Sequence, residues 1–239
     1  MAKSKLVIIS GMSGVGKSST AQKLAGLCKR EDVQHTWYHE EMDDHPIRWA
    51  DGGEFNIGPI DTIEGMSKNL EDMYKRWKNL VSTIKNQDGL HIMEGCLFQA
   101  IIRYFFNSPL SREEIKKYYQ EVFKILEPVS PHIIFLNRPN VRESFEKAFK
   151  VRGEGWKNII LDSSEDYYFK SHEYKGDESV FAMEADYQNL AGEIFDSYSG
   201  PKLKIDTSKE KWEQYMESIT HFLNINHQSI HKYHLVKNL

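Results

Sequence analysis

One short stretch limits the fold of this chain more than any other. "GMSGVGKSS", residues 11–19, directly follows the apolar, β-branched run "KLVIIS". A continuous run of that kind reads as a strand buried on both faces. Gly11, Gly14 and Gly16 then free the backbone to curl, so that successive N–H groups point inward at an anion. A helix is predicted from about Lys17 to Arg30, and its start would offer further free N–H groups and the positive end of its dipole. Strand, glycine turn and helix start together call for an α/β architecture with a ligand at the carboxyl edge of a parallel sheet.

Gly11, Gly16, Lys17 and Ser18 match G-x-x-x-x-G-K-[ST], the P-loop pattern. On this reading Gly11, Met12, Ser13, Gly14, Val15, Gly16, Lys17, Ser18 and Ser19 surround the phosphates of a nucleotide. Lys17 holds the β- and γ-phosphates, and the Ser18 hydroxyl ligates Mg²⁺. The alternative is a glycine turn with an incidental lysine. The strand before and the helix after favour the phosphate site.

The rest of the chain alternates. Strands are predicted at 33–39, 90–95, 132–137 and 201–206. A long helix from about Thr62 to Lys85 carries Ile63, Met66, Leu70, Met73, Trp77, Leu80 and Ile84 on one stripe. Ser111 and Glu114 form a capping box that opens a helix closed by Pro128. Val141, Phe145, Ala148 and Phe149 mark the next helix, and another falls near 178–198. Thr207 and Glu210 are expected to start the last, which carries Trp212, Tyr215, Met216, Ile219 and Leu223. The expected whole is one domain over 1–239, with a mobile lid at about 148–177 and a tail at about 224–239.

Strand ends narrow the chemistry. Glu94 stands where the third strand meets Gly95, placed to hold Mg²⁺ or to polarise an acceptor hydroxyl; an exposed strand-end acid is the plain alternative. After the second strand, Glu40 or Glu41 could act as the base that takes a proton from the acceptor. Lys147, Lys150 and Arg152 approach the glycine-containing turn after the fourth strand. Arg152 is the choice to neutralise charge on a moving phosphoryl group, set against plain surface charge. Trp49, in the long connection with Arg48 and Phe55, suits either stacking on an acceptor ring or a local aromatic anchor. Cys28 reads as core, and Cys96 as close to the site.

Bulk properties exclude several classes. With 31 Lys and Arg against 35 Asp and Glu, the net charge of −4 argues against a protein that coats nucleic acid. No apolar stretch approaches the ~20 residues of a membrane span. Two cysteines make no disulfide framework, which points to a reducing cytoplasm. The histidines at 221, 227, 231 and 234 show no zinc spacing.

From about 5 to 223 the layout resembles the P-loop kinases of the nucleoside and nucleotide type, the deoxynucleoside kinase and thymidylate kinase group. "GMSGVGKSS", "HEE", "MEG", "FLNRP", "VRGEG" and "KIDTS" occur in that group's order. The resemblance implies a three-layer α/β sandwich with a five-stranded parallel sheet in the order 2-3-1-4-5, a lid, and ATP with Mg²⁺. It also implies a nucleoside or nucleotide acceptor and a possible homodimer. Asp206 and Thr207 would lie near the adenine or simply cap a helix. One departure matters: Glu94-Gly95-Cys96 stands where the deoxynucleoside kinases carry Glu-Arg-Ser, so the phosphate-binding arginine is displaced, and Arg103 is the candidate to replace it. The competing reading is a GTP- or ATP-hydrolysing switch or binding module without an acceptor. Asn137-Arg138 departs from the guanine-reading Asn-Lys-x-Asp and weighs against a GTP switch.

Overall fold

The computed structural model describes residues 5–47, 58–155, 158, 167–172 and 177–225. Arg48, Trp49, Phe55, His227, His231 and His234 lie outside the described residues, as do parts of the expected lid and most of the expected tail.

Five strands form one parallel sheet in the order β2-β3-β1-β4-β5. They are β1 (Leu6–Gly11), β2 (His35–Tyr38), β3 (Leu90–Glu94), β4 (His132–Asn137) and β5 (Lys202–Asp206). Parallel neighbours need crossover connections, and helices supply them. These are α1 (Lys17–Arg30), α2 (Ile63–Asn86), α3 (Ile101–Phe106), α4 (Arg112–Leu126), α5 (Val141–Arg152), α6 (Tyr167–His172), α7 (Asp177–Ser197) and α8 (Trp212–Phe222). Every residue of β1 is buried, which explains its unbroken apolar run. Register aligns Ile9 with Glu94, Gly11 with Leu136 and Asn137 with Asp206. The glycine turn, the acid that ends β3 and the ends of β4 and β5 therefore share one edge.

Most helix expectations hold. Thr62 caps α2 by accepting from Gly65 N, and Met66, Met73, Trp77, Leu80 and Ile84 are buried as the stripe requires. Ile63 departs from it: at the first helical position, beside the exposed Asp61 and Thr62, it is itself exposed. The Ser111–Glu114 capping box closes in both directions.

Two segments differ from expectation. After β3, where no element was predicted, the chain makes one π turn, Cys96–Ala100, that leads straight into α3. The last helix starts at Trp212, not Thr207. Glu210 takes a positive φ of 51°, and its carboxylate accepts from Arg138 Nη2 and Lys147 Nζ instead of folding back as a cap. Lys147 is therefore tied down at the base of α8. Cys28 is fully buried in the core, as its spacing implies.

Candidate active site at the phosphate-binding loop

The curl after β1 is enforced by close approach. Gly11 has φ +148°, and a Cβ there would lie 2.2 Å from Leu136 O. Gly16 has φ +93°, and a Cβ there would meet the Trp212 ring at 2.4 Å. Both positions exclude any side chain, and the second seats the start of α8 against the loop. Gly16 is the N-cap of α1; no side chain caps this helix and its first turn contains no acid. Its leading N–H groups thus lack the side-chain acceptors that usually cover them. Met12 and Val15 turn their side chains into the core, so only their backbone can face a ligand. Ser13 is buried, and Gly14 and Ser19 are exposed.

Lys17 lies beneath this turn with 6% of its surface exposed. Its Nζ donates to Met12 O at 3.0 Å and to Gln99 Oε1. Gln99 in turn donates to Ser13 Oγ at 2.8 Å, so it bridges the lysine and the loop. Burial lowers the Lys17 pKa below the ordinary lysine value, and the negative charges of Glu40 and Glu94 oppose that shift.

Glu94 is fully buried at the end of β3. Its Oε2 accepts from the Ser18 hydroxyl at 3.0 Å. Its Oε1 stands 3.4 Å from His39 Nε2 and has no hydrogen-bond partner. Burial is the main cause of a raised Glu94 pKa, with Glu40's charge adding to it; Ser18, Lys17 and His39 act against it. An orphaned carboxylate oxygen beside a serine hydroxyl is a hard-oxygen donor set that suits Mg²⁺, which takes few protein ligands and fills its shell with water and phosphate. Among the described residues there is no group of three or more His, Cys, Asp or Glu that could hold a metal by itself.

Glu40 reaches across to Gly95: a Cβ on Gly95 would lie 2.0 Å from Glu40 Oε2. Its charge acts on Lys17, Glu94 and Arg103 alike. Arg152, in the last turn of α5, also acts on Lys17 and Arg103. Ser18 and Glu94 are hydrogen-bonded and Glu40 stands against Gly95, the residue after Glu94, whereas Arg152 is exposed at the end of α5 and acts on Lys17 through its charge alone. Lys147 is engaged elsewhere by Glu210. Asp206 accepts from Ser208 N at 2.8 Å and closes its own turn, while Thr207 donates to Asn137 O at 3.3 Å and ties that turn to the end of β4. Arg103 Nη2 is ion-paired with the fully buried Glu184. Cys96 Sγ packs 3.3 Å from His45 Nε2.

His39, Gln99, Glu184 and Tyr187 were not singled out in the sequence. For Gln99 a faint signal exists, five residues beyond Glu94. The π turn alters the phase in which that segment presents its side chains, so α-helical spacing does not lead to it.

No protein-family model matches the sequence, and no curated protein matches it either. Solved structures do. The thymidylate kinase from Candida albicans aligns with a TM-score of 0.50 and 13% identity, over 93% of this chain and 92% of that one. A deoxyadenosine kinase from M. mycoides, solved with bound dATP, aligns with a TM-score of 0.48 and 16% identity, over 91% of this chain and 98% of that one. At such identities the likeness is one of fold. With its sheet order and the glycine turn after β1, the chain has a P-loop α/β fold like that of the thymidylate kinase. No described helix is long and apolar enough to cross a membrane.

Proposed function

We propose that the protein is an ATP-dependent phosphotransferase that moves the γ-phosphoryl group of Mg-ATP to a hydroxyl or phosphate of a small molecule, a nucleoside or nucleotide. The observation that carries this reading is the 3.0 Å hydrogen bond from Ser18 Oγ to the buried Glu94. It joins the glycine turn to the acidic end of β3 and leaves one carboxylate oxygen without a hydrogen bond, 3.4 Å from His39 Nε2.

On this reading the backbone from Gly11 to Ser19 cradles the phosphates. Lys17 exchanges Met12 O and Gln99 for the β- and γ-phosphate oxygens. Ser18 and Glu94 hold Mg²⁺, which when bound neutralises phosphate charge and fixes the orientation of the triphosphate. Glu40, lodged against Gly95, accepts the proton of the acceptor hydroxyl. Arg152 stabilises charge on the transferred group from a lid over 148–177. We place the protein in the cytoplasm as a single kinase-like domain able to pair as a homodimer. A guanine-reading switch is less well supported, because Arg138 donates to Thr207 O at 3.0 Å and to Glu210.

The test is ADP release from ATP with and without a panel of nucleosides, nucleotides, sugars and aminoglycosides. Release that depends on an acceptor is expected; release without any acceptor would mean an ATPase. Lys17→Met should lower turnover by about 10²-fold or more while the circular dichroism spectrum stays native. Full turnover in that variant would overturn the assignment.

A further inference from the structure

Lys17 has three N–H donors, and the fold itself engages two of them. One goes to Met12 O at 3.0 Å and one to Gln99 Oε1. Both acceptors are neutral. The charges of Glu40 and Glu94 favour the ammonium form, and those of Arg103 and Arg152 oppose it. Met12 O is a backbone group of the glycine turn and moves only with the turn. Gln99 is a half-buried side chain that can change rotamer. Of the two partners, the glutamine is the one able to let go.

Gln99 is also anchored to the turn. Its amide nitrogen donates to Ser13 Oγ at 2.8 Å, and Ser13 is buried. Glutamine suits this place because one planar group carries an acceptor for the lysine and a donor for the serine. The π turn over Cys96–Ala100 presents that group to the loop from the chain after β3. A carboxylate here would grip the ammonium as an ion pair. An amide grips it less strongly and adds no charge that repels an anion. A buried ammonium needs hydrogen-bond partners, and Gln99 meets that need. If that were its whole role, removing it would misplace Lys17 and weaken phosphate binding. A glutamine that withholds Lys17 from a ligand has the opposite effect. It lowers the ligand's affinity by the fraction of time the lysine is held, so removing it tightens binding.

We propose that Gln99 is a latch on Lys17: it competes with the phosphate groups of a nucleotide for the lysine's ammonium and so sets how tightly the triphosphate is held. This rests on the reading of the glycine turn as a nucleotide-phosphate site and goes beyond it. With two donors engaged, one remains, and reaching both the β- and γ-phosphates takes more than one; Gln99 therefore lets go as the triphosphate enters. It is a positioning residue, since it acts through Lys17 and Ser13.

The experiment is calorimetric titration of the full chain with a non-hydrolysable ATP analogue and Mg²⁺, for the wild type, Gln99→Met and Gln99→Glu. Methionine keeps the length of the side chain and removes both the acceptor and the donor. Gln99→Met is expected to bind the analogue about fivefold tighter than the wild type. Gln99→Glu, which holds the ammonium as an ion pair, should bind it about tenfold more weakly. KM for ATP should follow the same order. The methionine variant carries the sign, because a merely supporting role would weaken binding there. Gln99→Met that binds no tighter than the wild type, or Gln99→Glu that binds no more weakly, would overturn the latch. If Gln99→Met lacks a native circular dichroism spectrum, Gln99→Asn takes its place. It keeps the amide but ends one methylene short of Lys17, so tighter binding is again expected and equal or weaker binding overturns the proposal. The wild type separates the two ideas. No binding of the analogue by the wild type would end both the phosphate-site reading and the latch. Binding by the wild type with the variants in the wrong order would end the latch alone and leave the phosphate site standing.

Discussion

A methyl group on Gly95 would lie 2.0 Å from Glu40 Oε2, and the residue has φ +77°, so both space and backbone demand glycine. The sequence shows this position only as a departure, a glycine where the kinases it resembles carry arginine. Its cause is a carboxylate brought over from the end of β2. Gly95→Ala is expected to displace Glu40 and strain the turn, costing about 1–3 kcal/mol of stability in denaturant unfolding. Turnover should fall further than that loss of stability explains. Glu40→Ala combined with Gly95→Ala should cost less than the sum of the two single variants, because the clash is relieved while the backbone strain stays; simple additivity would remove the clash as a cause. At this scale the placement of Gly11, Gly16, Lys17, Ser18 and Glu94 was legible because it follows from rigid spacing within one strand–turn–helix unit or from the end of a strand. Arg103 was visible but its partner was not. It meets Glu184 across 81 residues of chain, and no local period reports such a contact.

The elements themselves were mostly legible, since burial imposes its period on strands and on long helices such as α2 and α4. The start of α8 was not. Thr207 and Glu210 have capping-box spacing, but Glu210's carboxylate is taken by Arg138 and Lys147. A tertiary partner for the acid has overridden the local signal. Arg138 is 2% exposed, while Glu210 is partly open to water. Removing the acid leaves a buried guanidinium that still donates to Thr207 O but has lost its carboxylate. Glu210→Ala should therefore cost about 1–3 kcal/mol, seen as a lower denaturant midpoint with an unchanged slope. Glu210→Gln, which keeps an acceptor, should cost less than half as much. Because α8 also presents Trp212 to Gly16, the alanine variant should weaken nucleotide binding as well. A variant that unfolds like the wild type would show that the cluster is a surface pairing of little consequence.

The sheet order was legible only through the order of motifs along the chain, because parallel strands pair through distant segments that spacing does not connect. What binds the layers of the whole molecule is a set of buried aromatic rings, and their hydroxyl groups give it a pH signature. Tyr118 accepts from Trp77 Nε1 at 2.8 Å, Tyr119 donates to Leu97 O at 2.7 Å, and Tyr198 donates to Pro131 O at 2.7 Å. Burial pushes the hydroxyls of Tyr104 and Tyr198 up to about 12 and those of Tyr118, Tyr119 and Tyr187 higher still. In the unfolded chain all five ionise near the ordinary value of about 10. Above that pH the unfolded state binds fewer protons than the folded one, so stability falls as pH rises, while below it these groups leave stability unchanged. Denaturant midpoints should thus drop steadily between about pH 10 and pH 12. Tyrosinate absorbance from these rings should appear together with loss of the circular dichroism signal, not ahead of it. Five rings that ionise at the ordinary value in a chain still native by circular dichroism would mean that the aromatic layer between sheet and helices is not closed as described.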